Sequence, residues 1–522
     1  GLLHPLTALA FDGTSLAVSV YVLILLLTAF GAVHGFARLL GLGRWPSVWA
    51  GLWVASSGWW LGNASHLPVL SAATFTLLIA AGLLGFARQR PWAPLAVAGG
   101  WVLAINGCYP TTLLFGGQML GLLCLVLLIA RVLSLRRFLY FFAASLVGTA
   151  AGLPTLLSAY SWFGQTWRGG GLTVAQTLAR STAPEALKTF FRPLISPEAC
   201  NWPGAVDVTL DRFHLTYAAI PLLVLALCGI RRWRALGWTC AAFVLVGVDF
   251  CLGRHAYVRA FLTEHLWFER LNRCLPADHG WLIPAALAVG LAAVLDVLWR
   301  SHFAGRRGRV VLVNLLLAAD VALVVLSISR GLVVGRAWWP WNPPPAPAYQ
   351  VVWTAEDQAK LDAGRDCDEA RMKRIDNTPS IPDRFLPWGF VSAGVKDYEA
   401  DFFARRLDWI CGSGKLRDAR DAAPVDYRLV RYAPTEVRFV VPASAPRDLV
   451  WNDVDDGWWA VTVNGRDVSV PGAPSGLRRF VLPPGEAEVR MIYRPRWPIW
   501  SGWLAALGGL VLAGAWSWSA RA

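Results

Sequence analysis

The segment from residue 253 to residue 280 holds two arginines at a spacing that suits anion binding. Arg270 and Arg273 are three residues apart, so one helical turn would place both guanidinium groups on the same face, where they would grip a phosphate. A second interpretation is that these arginines pair with Glu264 and Glu269 of the same segment. The segment is therefore a candidate phosphate-binding site.

Chemistry at a bound phosphate also needs a side chain that accepts a proton. Asp278 is one candidate, with His279 beside it, just before an apolar stretch. Asp12 is another, because it precedes the first apolar stretch. The alternative for Asp278 and His279 is a solvated helix cap, and the alternative for Asp12 is a helix N-cap near Ser15.

Further polar residues lie at the ends or in the middle of apolar stretches. His66 and Tyr109 end short stretches, where a ring at the membrane interface needs no function. Asp320 lies in mid-stretch, and an intramembrane carboxylate is a functional candidate by default, with a polar contact between helices as the alternative. Asp296 lies four residues before Arg300, which predicts an intrahelical ion pair. No Cys/His cluster has zinc spacing, so the sequence predicts no such metal site and identifies no cofactor, while the use of a divalent cation stays open.

Eleven apolar stretches must position these residues. They lie near residues 14–36, 45–61, 68–86, 92–107, 112–130, 138–157, 214–230, 235–252, 280–299, 310–329 and 498–518. Arginines fill every second loop, which is typical of the cytoplasmic connections of a membrane protein. They are Arg38 and Arg44; Arg88 and Arg90; Arg131, Arg136 and Arg137; Arg231, Arg232 and Arg234; and Arg300, Arg306, Arg307 and Arg309. The pattern predicts an all-α polytopic membrane bundle whose residue 1 lies outside the cytoplasm.

Composition agrees with a membrane protein that carries one water-exposed domain. The chain has 522 residues, 56% of them hydrophobic, and a net charge of +14. Residues 330–497 hold 23 of the 34 acidic residues and 24 of the 48 basic ones, so this segment is nearly neutral. The excess positive charge lies in the membrane part, where it orients the chain and contacts the lipid bilayer, so no nucleic-acid partner is expected.

The chain therefore divides into a transmembrane domain (1–329), an extracytoplasmic domain (330–497) and a final transmembrane helix (498–522). The middle domain begins with a proline-rich linker over residues 340–347. After Glu436 the sequence alternates as β-structure does, and Asn464-Gly465 is a strong hairpin signal. We expect an antiparallel β-sandwich there, and an amphipathic helix from about Val174 to Arg192 in an earlier outer loop.

The C-terminal pattern resembles the closing β-domain of the YfhO-like bacterial membrane proteins. The matching run is Gly457-Trp458-Trp459-Ala460-Val461-Thr462-Val463-Asn464-Gly465-Arg466, followed by Val481 to Glu486 and Val489 to Pro495. Shorter segments upstream agree in order, namely Asn63 to Leu70, Asn106 to Thr111 and Arg270 to His279.

The resemblance implies a glycosyltransferase of the GT-C class in a bacterial plasma membrane. Such an enzyme would take a sugar from a polyprenyl-phosphate-linked donor and modify a cell-envelope glycan or lipid on the outer face. In this class the catalytic acid usually lies in the first outer loop, which we expect upstream of residue 1, together with one more helix that would bring the count to twelve. The alternatives are a non-catalytic envelope or complex-subunit protein whose β-domain binds a glycan or a partner, and a transporter, for which no inverted repeat is seen.

Overall fold

The computed structural model describes most of the helical part of the chain and much of the C-terminal β region. The described residues are 15–63, 67–107, 110–163, 173–178, 181–182, 184, 187, 215–216, 219, 234–266, 276–303, 307–334, 416–419, 425–433, 436–454, 459–468, 477–494 and 508. They fall into two compact units, one comprising Gly1–Leu156, Leu172–Asn342 and Trp500–Ala522, the other Leu157–Gly171 and Pro343–Ile499.

The first unit is helical. Its helices are α1 (Ser15–Leu39), α2 (Arg44–Ala55), α3 (Gly58–Gly62), α4 (Leu67–Ala87), α5 (Ala93–Asn106), α6 (Pro110–Ile129), α7 (Leu135–Phe163), α8 (Val174–Leu178), α9 (Arg234–Leu252), α10 (Tyr257–His265), α11 (Pro276–His279), α12 (Leu282–Leu298) and α13 (Arg307–Val334).

Six of these described helices, α1, α4, α6, α9, α12 and α13, contain stretches long and apolar enough to cross a bilayer. Helix α5 is apolar but shorter. The stretches predicted near 214–230 and 498–518 lie almost entirely outside the described residues, so the total of eleven stays a prediction.

Burial differs sharply between the helices of the bundle. In α4, 89% of the most apolar stretch is buried, whereas in α13 only 11% of it is buried. The large exposed side chains of α13 include Leu312, Leu315, Leu316 and Leu323. A continuous apolar face of this kind suits an apolar surrounding such as lipid. Helix α4 is therefore central in the unit, and α13 lies at its surface.

Two sequence predictions about helix length are wrong. The stretch 45–61 was expected to be one span, but the helix breaks at Ser56 and Ser57. Ser57 is extended, and its side chain accepts a hydrogen bond from the Trp60 backbone N–H at 3.4 Å, which starts α3. The helix expected to run from Val174 to Arg192 already ends at Leu178.

Glycines allow several helices to approach closely. A Cβ added at Gly148 of α7 would lie 2.5 Å from the Ala98 carbonyl oxygen of α5, and one at Gly82 of α4 would lie 2.6 Å from a methyl of Val97. Small residues at helix contacts let the backbones approach closely. In lipid this close packing matters because no hydrophobic effect drives helices together. Helices α4, α5 and α7 therefore pack closely because glycine has no side chain at these contacts.

The arginine-rich loops meet at one end of the helical unit. Arg88 donates to the carbonyl of Leu39 at 3.0 Å, and Arg137 donates to the carbonyl of Ala87 at 2.7 Å. Arg300 donates to the carbonyl of Gly41 at 3.0 Å. Arg300 also pairs with the buried Asp296 at 2.9 Å, as the spacing predicted.

Apart from the end of α7, the described residues of the second unit form antiparallel β-structure, as expected after Glu436. Its strands are β1 (Leu416–Asp418), β2 (Arg428–Ala433), β3 (Glu436–Ser444), β4 (Arg447–Val454), β5 (Trp459–Val463), β6 (Arg466–Asp467), β7 (Leu477–Leu482) and β8 (Gly485–Tyr493). They form a three-stranded sheet in the order β1-β4-β7 and a five-stranded sheet in the order β2-β3-β8-β5-β6. Asn464 and Gly465 both have positive φ, so the predicted hairpin turn between β5 and β6 is confirmed.

The two sheets share one hydrophobic cluster. Phe439 of the larger sheet stacks on Trp451 of the smaller sheet with ring centroids 4.9 Å apart, and Phe480 lies 6.3 Å from Phe439. Val437, Phe439 and Val441 are buried at every second position of β3, which is the period of a half-buried strand. The sheets are thus joined by their apolar faces.

The outer face of the larger sheet carries diagonal ion pairs. Arg438 and Arg490 lie opposite each other on β3 and β8. Each binds a glutamate on the other strand, Arg438 with Glu488 and Arg490 with Glu436. The hydrogen bond from Arg438 lowers the pKa of Glu488 from its ordinary value. The diagonal pairs offset the repulsion between the two facing arginines.

The close approach at Gly148 predicts a position-specific effect. Gly148→Ala should destabilise the protein by roughly 1–3 kcal/mol, because the new methyl meets backbone that has nowhere to move. The matched control is Gly35→Ala in α1, where an added Cβ meets nothing within 4 Å. This change should be neutral or stabilising by up to about 1 kcal/mol through helix propensity. Thermal unfolding in detergent checks both, and equal midpoints would contradict the packing.

Candidate functional site

A polar cluster lies at the end of the helical unit opposite the arginine loops. Helices α1 and α4 end at the arginine loops. Asp296 lies in the last turn of α12, and its partner Arg300 follows the end of that helix. The start of α12 therefore lies at the far end, and so does the end of α9, which packs antiparallel to it. Residues 253–281 connect α9 to α12 and contain the cluster.

The carboxylate of Asp249 binds the start of α10, near the beginning of this connection. It accepts hydrogen bonds from the backbone N–H groups of Arg259 at 2.7 Å and Val258 at 3.3 Å. These N–H groups belong to the first turn of α10, where a helix has no partners of its own. Asp249 thus acts as an N-terminal cap supplied from the preceding helix.

The side chain of Arg259 is fully buried at this position. Its guanidinium carbon lies 5.2 Å from the centre of the Phe250 ring, within the range of a cation–π contact. The hydroxyl of Thr263 donates to the carbonyl of Arg259 at 2.8 Å and holds the turn that carries it.

The imidazole of His279 lies between aromatic rings. Its centroid is 4.6 Å from that of Phe115 in an edge contact and 5.5 Å from that of Phe250. Trp281 also packs against Phe115, with centroids 5.9 Å apart. One ring, Phe250, therefore contacts both the buried cation of Arg259 and the imidazole of His279.

Three ionisable side chains are thus buried in one connection, because Asp278, like Arg259 and His279, has no exposed surface. Burying charge costs several kcal/mol for each ion even in a relaxed protein. Buried ionisable residues are therefore rare and mark functional sites or tightly paired structural ones. The arrangement offers a cation together with groups that can accept or donate a proton.

The alternative interpretation of Asp278 and His279, a solvated helix cap, is wrong. Both side chains are fully buried because α11 packs against α6 and α9 rather than projecting into solvent. Asp320 of α13 accepts a hydrogen bond from the Thr216 hydroxyl, which is a polar contact between segments distant in sequence.

The other predicted site residues lie outside the described residues. These are the phosphate-binding candidates Arg270 and Arg273 and the candidates Asp12, His66 and Tyr109.

Arg259 and the aromatic pair Phe115 and Phe250 were missed as site residues by the sequence reasoning. Arg259 is one of several charged residues in a polar segment, and sequence spacing does not reveal which of them is buried. The sequence feature that could have indicated the position of Arg259 is Asp249. This carboxylate lies near the end of an apolar stretch, ten residues before Arg259.

Among the described residues, no three His, Cys, Asp or Glu side chains come together as a metal-binding group. Comparison of the chain with family models, with curated proteins and with solved structures finds no match.

The Asp249 cap predicts a local effect on α10. Asp249→Ala should destabilise the first turn of this helix by about 1 kcal/mol, because two backbone N–H groups lose their acceptor. Asp249→Asn keeps one side-chain oxygen and should lose less. Hydrogen exchange of peptides covering residues 257–265 measures the effect. Unchanged protection in Asp249→Ala would show that the carboxylate does not hold the helix.

Proposed function

We propose that the protein is a membrane-embedded glycosyltransferase. It would take a sugar from a polyprenyl-phosphate-linked donor and attach it to a cell-envelope glycan or lipid on the outer face of the plasma membrane. The observation that supports this most strongly is the burial of Arg259, Asp278 and His279 at the end of the bundle opposite the contacts of Arg88, Arg137 and Arg300. The resemblance of the C-terminal pattern to YfhO-like proteins supports the same class.

Arg259 would stabilise the phosphate as it departs. A fixed cation in a site that excludes water stabilises developing negative charge most strongly. Arg270 and Arg273 belong to the same connection between α9 and α12 and would add two more charges. The aromatic contact with Phe250 would keep the Arg259 guanidinium in place between turnovers.

Asp278 or His279 would take the proton of the acceptor. The acceptor oxygen forms a bond to the anomeric carbon of the sugar while the bond from that carbon to the phosphate oxygen breaks. The electron pair leaves with the polyprenyl phosphate, and the hydroxyl proton passes to the base. Asp12 remains a rival base.

The β unit would form a sandwich on the extracytoplasmic side. The alternation of arginine-rich loops supports this orientation, and the apolar contact between the two sheets supports the sandwich.

One observation favours a second candidate function. The larger sheet presents ordered ion pairs on its outer face, between Arg438 and Glu488 and between Arg490 and Glu436. An ordered polar face of this kind suits a glycan or a protein partner. The protein would then be a non-catalytic envelope component.

Transfer assays on the full-length protein in lipid nanodiscs test the proposal. Arg259→Gln should lower the turnover of a polyprenyl-phosphate-linked sugar by about 10²–10³-fold, the usual cost of losing one such stabilising donor. Asp278→Asn and His279→Gln separate the two candidate bases, since the one that takes the proton should lose a comparable factor. The control is Arg309→Gln, which removes an exposed arginine of α13.

Thermal unfolding shows whether each variant remains folded, and Arg259→Lys keeps the charge where glutamine disturbs packing. Turnover at the wild-type level in Arg259→Gln would contradict the role of the cluster. Glycan binding by the β unit without any turnover of the wild-type protein would support the second candidate.

A further inference from the structure

An apolar groove opens on the surface of the helical unit between α6 and α7. Its volume is about 540 Å³, and its floor includes Trp101 of α5. The walls include Leu125, Phe142 and Leu146, each about half exposed. Ser145 also lines the groove, but its hydroxyl is already used in a hydrogen bond to the carbonyl of Phe141 at 2.9 Å.

Glycines of α6 create the width of the groove. An added Cβ at Gly121 would meet nothing within 4 Å, and one at Gly117 would meet only Trp101, at 3.9 Å. On α7, by contrast, Gly148 packs directly against the backbone of α5. Helix α7 is therefore held close to α5, whereas α6 leaves open space beside Gly117 and Gly121.

The length of the groove matches one leaflet of a bilayer. On α6 the lining residues run from Gly117 to Leu128, and on α7 from Phe138 to Thr149. Eleven residues of helix rise about 16 Å at 1.5 Å per residue. The hydrocarbon core is about 30 Å thick, so the groove covers about half of it. Leu128 and Phe138 lie next to the loop between α6 and α7, so this half is the one at the arginine end.

The mouth of the groove at that end is strongly basic. Arg131 and Arg136 are exposed and lie within three residues of the lining positions Leu128 and Phe138. Arg136 is held by the Tyr140 hydroxyl at 3.1 Å. The sequence contains no acidic residue between Asp12 and Glu185, so no carboxylate of these helices neutralises the two arginines.

We infer that this groove binds an anionic phospholipid from the leaflet at the arginine end. One acyl chain lies along Gly117, Gly121 and Leu125, and the phosphate headgroup lies at Arg131 and Arg136. The apolar walls accept any chain, whereas the two exposed guanidinium groups select a negatively charged headgroup. The site is distinct from the buried cluster of Arg259, Asp278 and His279, which lies at the opposite end, and it does not depend on the proposed transferase activity.

Native mass spectrometry of the full-length protein tests this inference. The protein is released from nanodiscs that contain phosphatidylglycerol and phosphatidylethanolamine with identical chains, and the retained lipids are counted. Wild type should retain phosphatidylglycerol in preference. Each arginine near the surface contributes roughly fivefold, so Arg131→Gln with Arg136→Gln should reduce the preference by roughly 30-fold. The charge control is Arg309→Gln.

Filling the groove should remove retention of the lipid whatever its headgroup. Gly121→Trp places an indole in the channel, and Gly121→Leu is the milder variant if tryptophan disturbs folding. The matched control is Leu315→Trp on the exposed face of α13. Retention unchanged in both Gly121 variants would overturn the site. Equal retention of the two phospholipids by wild type, or retention of a polyprenyl lipid instead, would overturn the assignment of an anionic phospholipid.

Discussion

Arginine side chains that bind the carbonyl groups at helix ends hold the helical unit together at one end. The last carbonyls of a helix have no partner within the helix, and an unmade hydrogen bond beside lipid costs several kcal/mol. Arg88 satisfies the end of α1, Arg137 satisfies the end of α4, and Arg300 satisfies the turn after α1. A charge-assisted hydrogen bond contributes about 1.5–3 kcal/mol. These arginines therefore join the ends of the helices.

These arginine contacts show at which end of the helical unit each connection lies. Since α1 and α4 end at the arginine loops, the connection between α9 and α12 must lie at the other end. The arginine end is exposed and basic, which suits lipid headgroups. The other end buries Arg259, Asp278 and His279 against Phe115 and Phe250. The two ends of the bundle thus differ: one is exposed and basic, and the other buries three ionisable side chains.

Local sequence patterns predicted those parts of the fold that depend on local interactions. The ion pair between Asp296 and Arg300 and the turn at Asn464-Gly465 follow from short spacings and are both present. The alternation of apolar and polar residues predicted β3 and β8, because only one face of each strand is buried. The break at Ser57 was missed because an apolar run continues on both sides of it, and hydropathy does not register a side-chain cap.

Burial of the candidate site could not be predicted, because it depends on packing between distant segments. Asp278 and His279 are polar residues in a polar segment, so a solvated position was the expected outcome. They are buried because α11 packs between α6 and α9, about 165 and 30 residues earlier in the chain. The choice of Arg259 over its charged neighbours likewise depends on where the Phe250 ring lies. These contacts join segments that are far apart in the sequence, so local sequence patterns do not reveal them.

The most direct test of the account is the side of the membrane on which each end of the bundle lies. Tyr257 is 92% exposed at the end with the buried cluster, and Leu135 is 66% exposed at the arginine end. Tyr257→Cys and Leu135→Cys are treated with a membrane-impermeant maleimide in intact bacterial cells, with the wild-type protein as the blank for native cysteines. The account predicts that Tyr257→Cys is labelled in intact cells and that Leu135→Cys is labelled only after permeabilisation. The reverse pattern would place the buried cluster in the cytoplasm and contradict the proposed transfer at the outer face.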